Sequence, residues 1–312
     1  MDSSSKFIFL NKQCDISHID TAVPLNLNDT CTKKRQVIPI AESSKRKLLL
    51  KYFKTIKEGN IPIVLNPEIK PNIKEELISK FTTIKNDSLP GHILCTSGTT
   101  SIKSTPKMYF FSLDRALANA KSHDESLESN VSTNILFPLP LYHSFGVVVG
   151  MLGGQSRLGI KTYLFENIPS SDQILKALKL YDIDILYLVP ALARLLLKNE
   201  KKVRELNYCP KKISIGASLI YQDEIIQLMK IFPKTDFYYT YGITEMGPRV
   251  STFKCGSLSD PSKLLSDKHE PLPIGDALEG IELKCNKTLF IQSKYAFNVT
   301  GINYTATEIS SL

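Results

Sequence analysis

The chain has 312 residues, 42% of them hydrophobic and 22% charged, an ordinary balance for a globular protein long enough to form two subdomains. Its formal charge of +8 is spread along the chain, and the densest basic patches, Lys33-Lys34-Arg35 and Lys45-Arg46-Lys47, are short. That pattern describes a solvated surface with a general attraction for anionic ligands, not a nucleic-acid-binding stripe, and no apolar run has the length of a membrane span.

Met1-Asp2-Ser3-Ser4-Ser5-Lys6 lacks the basic stretch and apolar core of a secretory signal, so the expected location is cytoplasmic. Residues 1–40 are weakly patterned, with Pro24 and Pro39 as breakers. From Ser43 to Glu58, Leu48, Leu49, Tyr52, Phe53 and Ile56 recur at helical spacing. Gly59-Asn60 stops that helix. Ile61 to Leu65 reads as a short buried strand, and a helix over about 73–81 follows Pro71. Ile93-Leu94-Cys95 is a second strand, and Leu113 to Glu128 reads as helix.

Asn134 to Pro138 is strand-like, and Val147 to Leu152 opens a packed helix. A strand over 161–165 precedes a helix over 171–181, with Ser170 or Ser171 as N-cap. The strand from Ile183 to Val189 is stopped by Pro190, which opens a helix through Lys198. Strand 212–215, helix 222–232 and strand 236–240 complete the alternation. Residues 251–273 read as irregular, 274–293 as a small β element, and 309–312 show no closing element.

The order strand, helix, strand, helix implies an α/β fold of layered, mainly parallel sheets flanked by helices, with a small β element near the C-terminus. The expected division is an α/β region over 1–250, itself of two subdomains, and an irregular segment with a small β subdomain over 251–312. The six cysteines, Cys14, Cys31, Cys95, Cys209, Cys255 and Cys285, lack the close spacing of a zinc or redox motif and are expected to be reduced. Cys95 reads better as a strand-end core residue than as a reactive thiol.

Three segments carry candidate chemistry. Thr96-Ser97-Gly98-Thr99-Thr100-Ser101 offers hydroxyls and an unhindered backbone to phosphate oxygens, and Lys107 adds a charge. The run lacks the Gly-Lys-Ser/Thr ending of a Walker loop, and read alone it is better taken as a surface turn. Tyr241-Gly242-Ile243-Thr244-Glu245 ends a strand; a glutamate there can hold Mg²⁺, a threonine phosphate, and a tyrosine can stack on a base. In isolation it too reads as a turn with a surface carboxylate. Pro140-Leu141-Tyr142-His143-Ser144-Phe145-Gly146 contains a histidine between aromatics, and no Gly-x-Ser-x-Gly elbow supports a serine hydrolase.

Taken in order, these segments resemble the adenylate-forming superfamily of acyl-CoA synthetases, luciferases and peptide-synthetase adenylation domains. Thr96–Thr100 is similar to the family's phosphate loop. Pro140–Gly146 is similar to its Pro-Leu-x-His segment. Ile215-Gly216-Ala217-Ser218 resembles its Gly-Gly-Ala-Pro turn, and Tyr241–Glu245 matches Tyr-Gly-x-Thr-Glu. Pro273-Ile274-Gly275, Gly280–Leu283 and Gly59–Pro67 resemble flanking segments, so the likeness covers roughly residues 45–305.

The resemblance implies that a carboxylate attacks the α-phosphate of ATP, giving an acyl-adenylate and pyrophosphate, before a thiol of CoA or a carrier protein takes the acyl group. By that likeness Ser97, Gly98, Thr99 and Thr100 hold pyrophosphate. Thr244 binds phosphate, Glu245 holds Mg²⁺, and His143 borders the acyl site. Tyr241 and Gly242 lie against adenine, with Gly216, Ala217 and Ser218 opposite. Catalytic roles fall on Glu245, Thr244 and His143. The partners implied are a small carboxylic acid and, in addition, a separate C-terminal domain or acyl carrier protein. The phosphate loop departs from the family by three extra residues before Pro106-Lys107. No Tyr/Phe-x-Thr-Gly-Asp segment is present, and the family's small lysine-bearing C-terminal domain is expected to be absent from this chain. A module that binds nucleotide or acyl-adenylate but turns over poorly is the alternative reading.

Overall fold

The structure is a computed structural model that describes residues 6–21, 35–81, 90–96, 107–128, 134–157, 159–286, 288–296 and 307–310. In chain order the elements begin with strands β1 (Lys6–Leu10), β2 (Ile16–Thr21) and β3 (Val37–Ile40). Helix α1 (Lys45–Lys57), β4 (Ile61–Val64), α2 (Pro71–Phe81), β5 (Gly91–Cys95), β6 (Met108–Ser112) and α3 (Leu113–Ser126) follow. After β7 (Asn134–Leu136), a π-helical turn (Gly146–Gly153) runs into a single turn, α4 (Gly154–Ser156). Then come β8 (Lys161–Phe165), α5 (Ser171–Leu180), β9 (Ile185–Leu188), α6 (Pro190–Lys198), α7 (Glu200–Glu205), β10 (Lys212–Gly216), α8 (Gln222–Ile231) and β11 (Asp236–Tyr241). A 3-10 turn (Thr244–Met246) leads to β12 (Ser251–Gly256), β13 (Asp276–Ala277), β14 (Ile281–Asn286), β15 (Thr288–Ser293) and β16 (Thr307–Ser310).

The strands form three sheets. The largest has the order β13-β12-β11-β10-β9-β7-β8-β1-β2. Its centre, from β11 to β1, is parallel, and antiparallel strands flank it at β12 and β2. A second sheet, β3-β4-β5-β6, is parallel except for β6. The third, β14-β15-β16, is antiparallel. Buried parallel strands read as continuous apolar runs because both faces are covered, and β9, with Ile185, Leu186, Tyr187 and Leu188 all buried, is one.

Local chemistry sets the helix limits. Ser44 accepts from the Lys47 backbone N–H at 3.2 Å and caps α1, whose Leu48, Leu49, Tyr52 and Phe53 face the core. Ser170 and Gln173 form a reciprocal capping box at the start of α5. Pro190 opens α6 at a position where its missing N–H costs nothing.

Several segments correct the sequence reading. Lys6–Leu10 was weakly patterned in sequence, yet β1 lies inside the large sheet with Phe7, Ile8, Phe9 and Leu10 buried. Ser251–Gly256, read as irregular, pairs antiparallel with β11 and buries Phe253 and Cys255. Thr307–Ser310 adds a strand to β15 where no closing element was expected. Among the described residues, Cys14, Cys95, Cys209 and Cys255 are free thiols, and no helix is long and apolar enough to cross a membrane.

Candidate functional site

Strands β10 and β11 run side by side in parallel, with Gly216 opposite Thr240. Gly216-Ala217-Ser218 and Tyr241-Gly242 therefore leave adjacent strand ends on the same edge. Pro140–Gly146 lies between the end of β7 and the π-helical turn. Carboxyl ends of parallel strands are where α/β sheets bind ligands. Tyr241 to Glu245 are half-buried, while Ala217 and Ser218 are exposed. Ala217 has φ +77°, a left-handed conformation that an L side chain seldom adopts.

Side-chain bonds join these segments. Ser144 Oγ and Thr244 Oγ1 share a hydrogen bond of 3.1 Å. Tyr109 Oη donates to Glu245 Oε1 at 3.3 Å, linking β6 to the 3-10 turn. Two residues before Tyr109, Lys107 pairs with Thr96: the Thr96 N–H donates to the Lys107 carbonyl at 2.8 Å, and the Lys107 N–H donates to Thr96 Oγ1 at 3.0 Å. These bonds pin both ends of the hydroxyl run between β5 and β6. Ser97, Gly98, Thr99 and Thr100 lie outside the described residues.

His143 is exposed, and its ring lies 4.5 Å from that of Tyr142. It makes no side-chain hydrogen bond among the described residues. Burial, with Tyr239 and Glu245 nearby, raises the Tyr241 phenol above its usual range, which keeps it a hydrogen-bond donor. Burial pushes the Cys95 thiol up to about 12, as befits an inert strand-end residue. Among the described residues no group of three or more His, Cys, Asp and Glu could hold a metal. Glu245 offers one carboxylate, with one oxygen accepting from Tyr109. Such a donor suits Mg²⁺, which takes one or two carboxylates and fills its shell from phosphates and water.

The sequence reading missed Tyr109, because β6 was not recognised as a strand, and it missed Arg249. Asn119 grips the Arg249 backbone from α3: its Nδ2 donates to the Arg249 carbonyl at 2.8 Å, and its Oδ1 accepts the Arg249 N–H at 3.0 Å. The guanidinium, 2% exposed, lies 4.4 Å over the Phe145 ring. It packs into the space left by Gly242, whereas Thr240 lies closest to Gly216. A β-carbon at Gly242 would sit 1.8 Å from the Pro248 carbonyl oxygen and 2.4 Å from Arg249 Nη2, and one at Gly216 would lie 3.6 Å from Nη1. The Gly-Pro-Arg that directly follows Tyr241–Met246 was the available signal.

The family model of AMP-binding enzymes matches residues 2–286. The chain belongs to the AMP-binding enzyme family. Solved structures with the same fold include O-succinylbenzoate coenzyme A synthetase (MenE) from Bacillus subtilis in complex with AMP, at TM-score 0.67 and 14% identity, covering 89% of this chain and 82% of that one. The N-terminal subdomain of Klebsiella oxytoca NpsA, in complex with anthranilyl-AMSN, matches at TM-score 0.69 and 15% identity, covering 95% of this AMP-binding chain and 84% of its own. E. coli MenE, bound to an analogue of OSB-AMS, matches at TM-score 0.66 and 16% identity over 89% of this chain. The chain spans 64% of the E. coli MenE length. At these identities the likeness is one of fold. Compared with the curated proteins, the chain has no significant match.

Proposed function

We propose that this AMP-binding chain activates a small carboxylic acid with ATP, forming an acyl-adenylate and releasing pyrophosphate. The observation that carries the proposal is the Ser144–Thr244 hydrogen bond of 3.1 Å, because it joins the Pro140–Gly146 segment to Tyr241–Glu245 at the ligand-binding edge of the sheet. In this reading the acid's carboxylate oxygen attacks the α-phosphorus, and the bond to the bridging oxygen of pyrophosphate breaks. The protein's part is to align the two reactants and offset the charge that develops.

Thr244 hydrogen-bonds phosphate, Tyr241 lies against adenine, and Gly216 to Ser218 form the opposite wall. Thr96 and Lys107 hold the ends of the run whose Ser97, Gly98, Thr99 and Thr100 take the pyrophosphate end. His143 borders the acid. Glu245 would hold Mg²⁺, which would neutralise phosphate charge when bound. CoA or a carrier-protein thiol is the proposed acceptor, and a separate lysine-bearing domain the proposed partner.

Isotope exchange between pyrophosphate and ATP, run across a panel of acids, tests this reading. Exchange that depends on one class of acid and is lost in Glu245→Ala supports it. The alternative, a module that holds nucleotide without turnover, draws on the three extra residues before Pro106-Lys107. It predicts AMP binding by calorimetry with no exchange. A chain that binds neither ATP nor AMP would sink both.

A further inference from the structure

Beside the motif glycines lies a buried polar cluster that the adenylation reading leaves unused. Arg249, 2% exposed, donates one side-chain hydrogen bond among the described residues, to the Thr240 carbonyl at 3.5 Å, and its Nε has no partner. A guanidinium carries five N–H donors, so most of its capacity is unspent. His123, 1% exposed, packs edge-on to the same Phe145 ring, with centroids 6.3 Å apart, and is tilted against Tyr187 at 6.0 Å. Neither ring nitrogen of His123 has a partner. Burial first, then the charges of Arg249 and Arg157, keep that imidazole neutral.

Charge narrows what could fill the gap. Arg157 already forms a bidentate pair with Asp124, so those two charges cancel. The polar neighbours that act on Arg249 are the phenols of Tyr239 and Tyr187, and a phenol is uncharged at neutral pH. Among the described residues one positive charge is left without a counter-ion. Ordered water would satisfy orphaned nitrogens but would leave that charge; a carboxylate does both, since its two oxygens match the planar fork of arginine.

The location says where the carboxylate comes from. Arg249 lies against the bare backbone of Gly242 and over Phe145. It therefore sits where the Tyr241–Glu245 and Pro140–Gly146 segments meet. We propose that Arg249, which shares the Phe145 ring with His123, anchors a second carboxylate at the far end of the acid, so that the substrate class is dicarboxylic acids. This rests on the adenylation reading for the identity of the reacting end, but not for the anchor itself.

Calorimetric titration of the full chain with succinate, glutarate, adipate and phthalate, each beside its monomethyl ester, tests the anchor. At least one diacid should bind tenfold or more tighter than its ester, and Arg249→Gln should reduce that preference to less than threefold, with Arg249→Lys between. A wild-type protein that binds diacid and ester equally, or binds no diacid, overturns the proposal, and this arm holds even if the variants fail to fold. A preference that persists in folded Arg249→Gln also overturns it. AMP titrated into the same samples keeps the two ideas apart. AMP binding without diacid preference removes only the anchor, and diacid preference without AMP binding removes only the nucleotide reading.

Discussion

Tyr109 Oη reaches across from the four-stranded sheet to Glu245 Oε1, 3.3 Å away and 136 residues later in the chain. The bond orients the carboxylate that is proposed to hold the cation. Groups that orient a metal ligand typically contribute ten- to a hundredfold to metal affinity or activity. Tyr109→Phe should therefore raise the Mg²⁺ concentration needed for half-maximal pyrophosphate exchange by about tenfold. Its urea midpoint should barely move. A large stability loss with unchanged Mg²⁺ dependence would make the bond structural only.

Gly242 is the tightest approach at the site. Any β-carbon there meets the Pro248 carbonyl oxygen at 1.8 Å and the Arg249 guanidinium at 2.4 Å. Neither a backbone carbonyl nor a packed guanidinium yields easily. Gly242→Ala should destabilise the fold by about 1–3 kcal/mol, the usual range for overpacking, and should abolish AMP binding. Urea denaturation and calorimetry on one preparation check both.

Ala217 offers the opposite case. Its φ of +77° suits glycine, and an L residue in the left-handed region costs roughly 1–2 kcal/mol. Glycine returns about 0.5–1 kcal/mol of that as extra backbone entropy in the unfolded chain. Ala217→Gly should then be neutral or stabilising by up to about 1.5 kcal/mol, whereas β-branched Ala217→Val should destabilise. A thermal midpoint that falls in Ala217→Gly would contradict the strain argument.

His92 gives the fold an acid-sensitive slope. The ring is buried, its Nδ1 shares a 2.6 Å hydrogen bond with Tyr52 Oη, and burial lowers its pKa from 6.5 to about 3. The unfolded chain takes up a proton below pH 6.5, while the folded chain does so only near pH 3. Stability is therefore lost as pH falls between those values, at up to about 1.4 kcal/mol per pH unit. His92→Asn should flatten the slope of unfolding free energy between pH 6 and pH 4. An unchanged slope would assign the acid sensitivity to other groups.

The elements legible in the sequence were those with a clear period or a clear stop. Helix α1 showed its apolar stripe, α5 its cap, α6 its opening proline, and β10 and β11 their short apolar runs ending in glycine turns. Strand β1 was missed because Lys6–Leu10 is a short apolar run whose period cannot separate a buried strand from a buried helix. Strand β12 was missed because its alternation is set by pairing with β11, and sequence alone does not supply the partner. The site follows the same division. Tyr241–Glu245 and Gly216–Ser218 could be read locally, whereas Tyr109 and Arg249 gain their meaning from contacts with Glu245 and Phe145 far away in the chain.

The pairing of Thr96 with Lys107 has a consequence for chain length. Ten residues, 97–106, separate the two, and the strands on either side hold the ends together. Closing a loop costs entropy only in proportion to the logarithm of its length, so ten residues in place of seven add about 0.3 kcal/mol. The three extra residues thus place almost no thermodynamic load on the sheet. Insertions and deletions at this point should therefore leave folding almost unchanged.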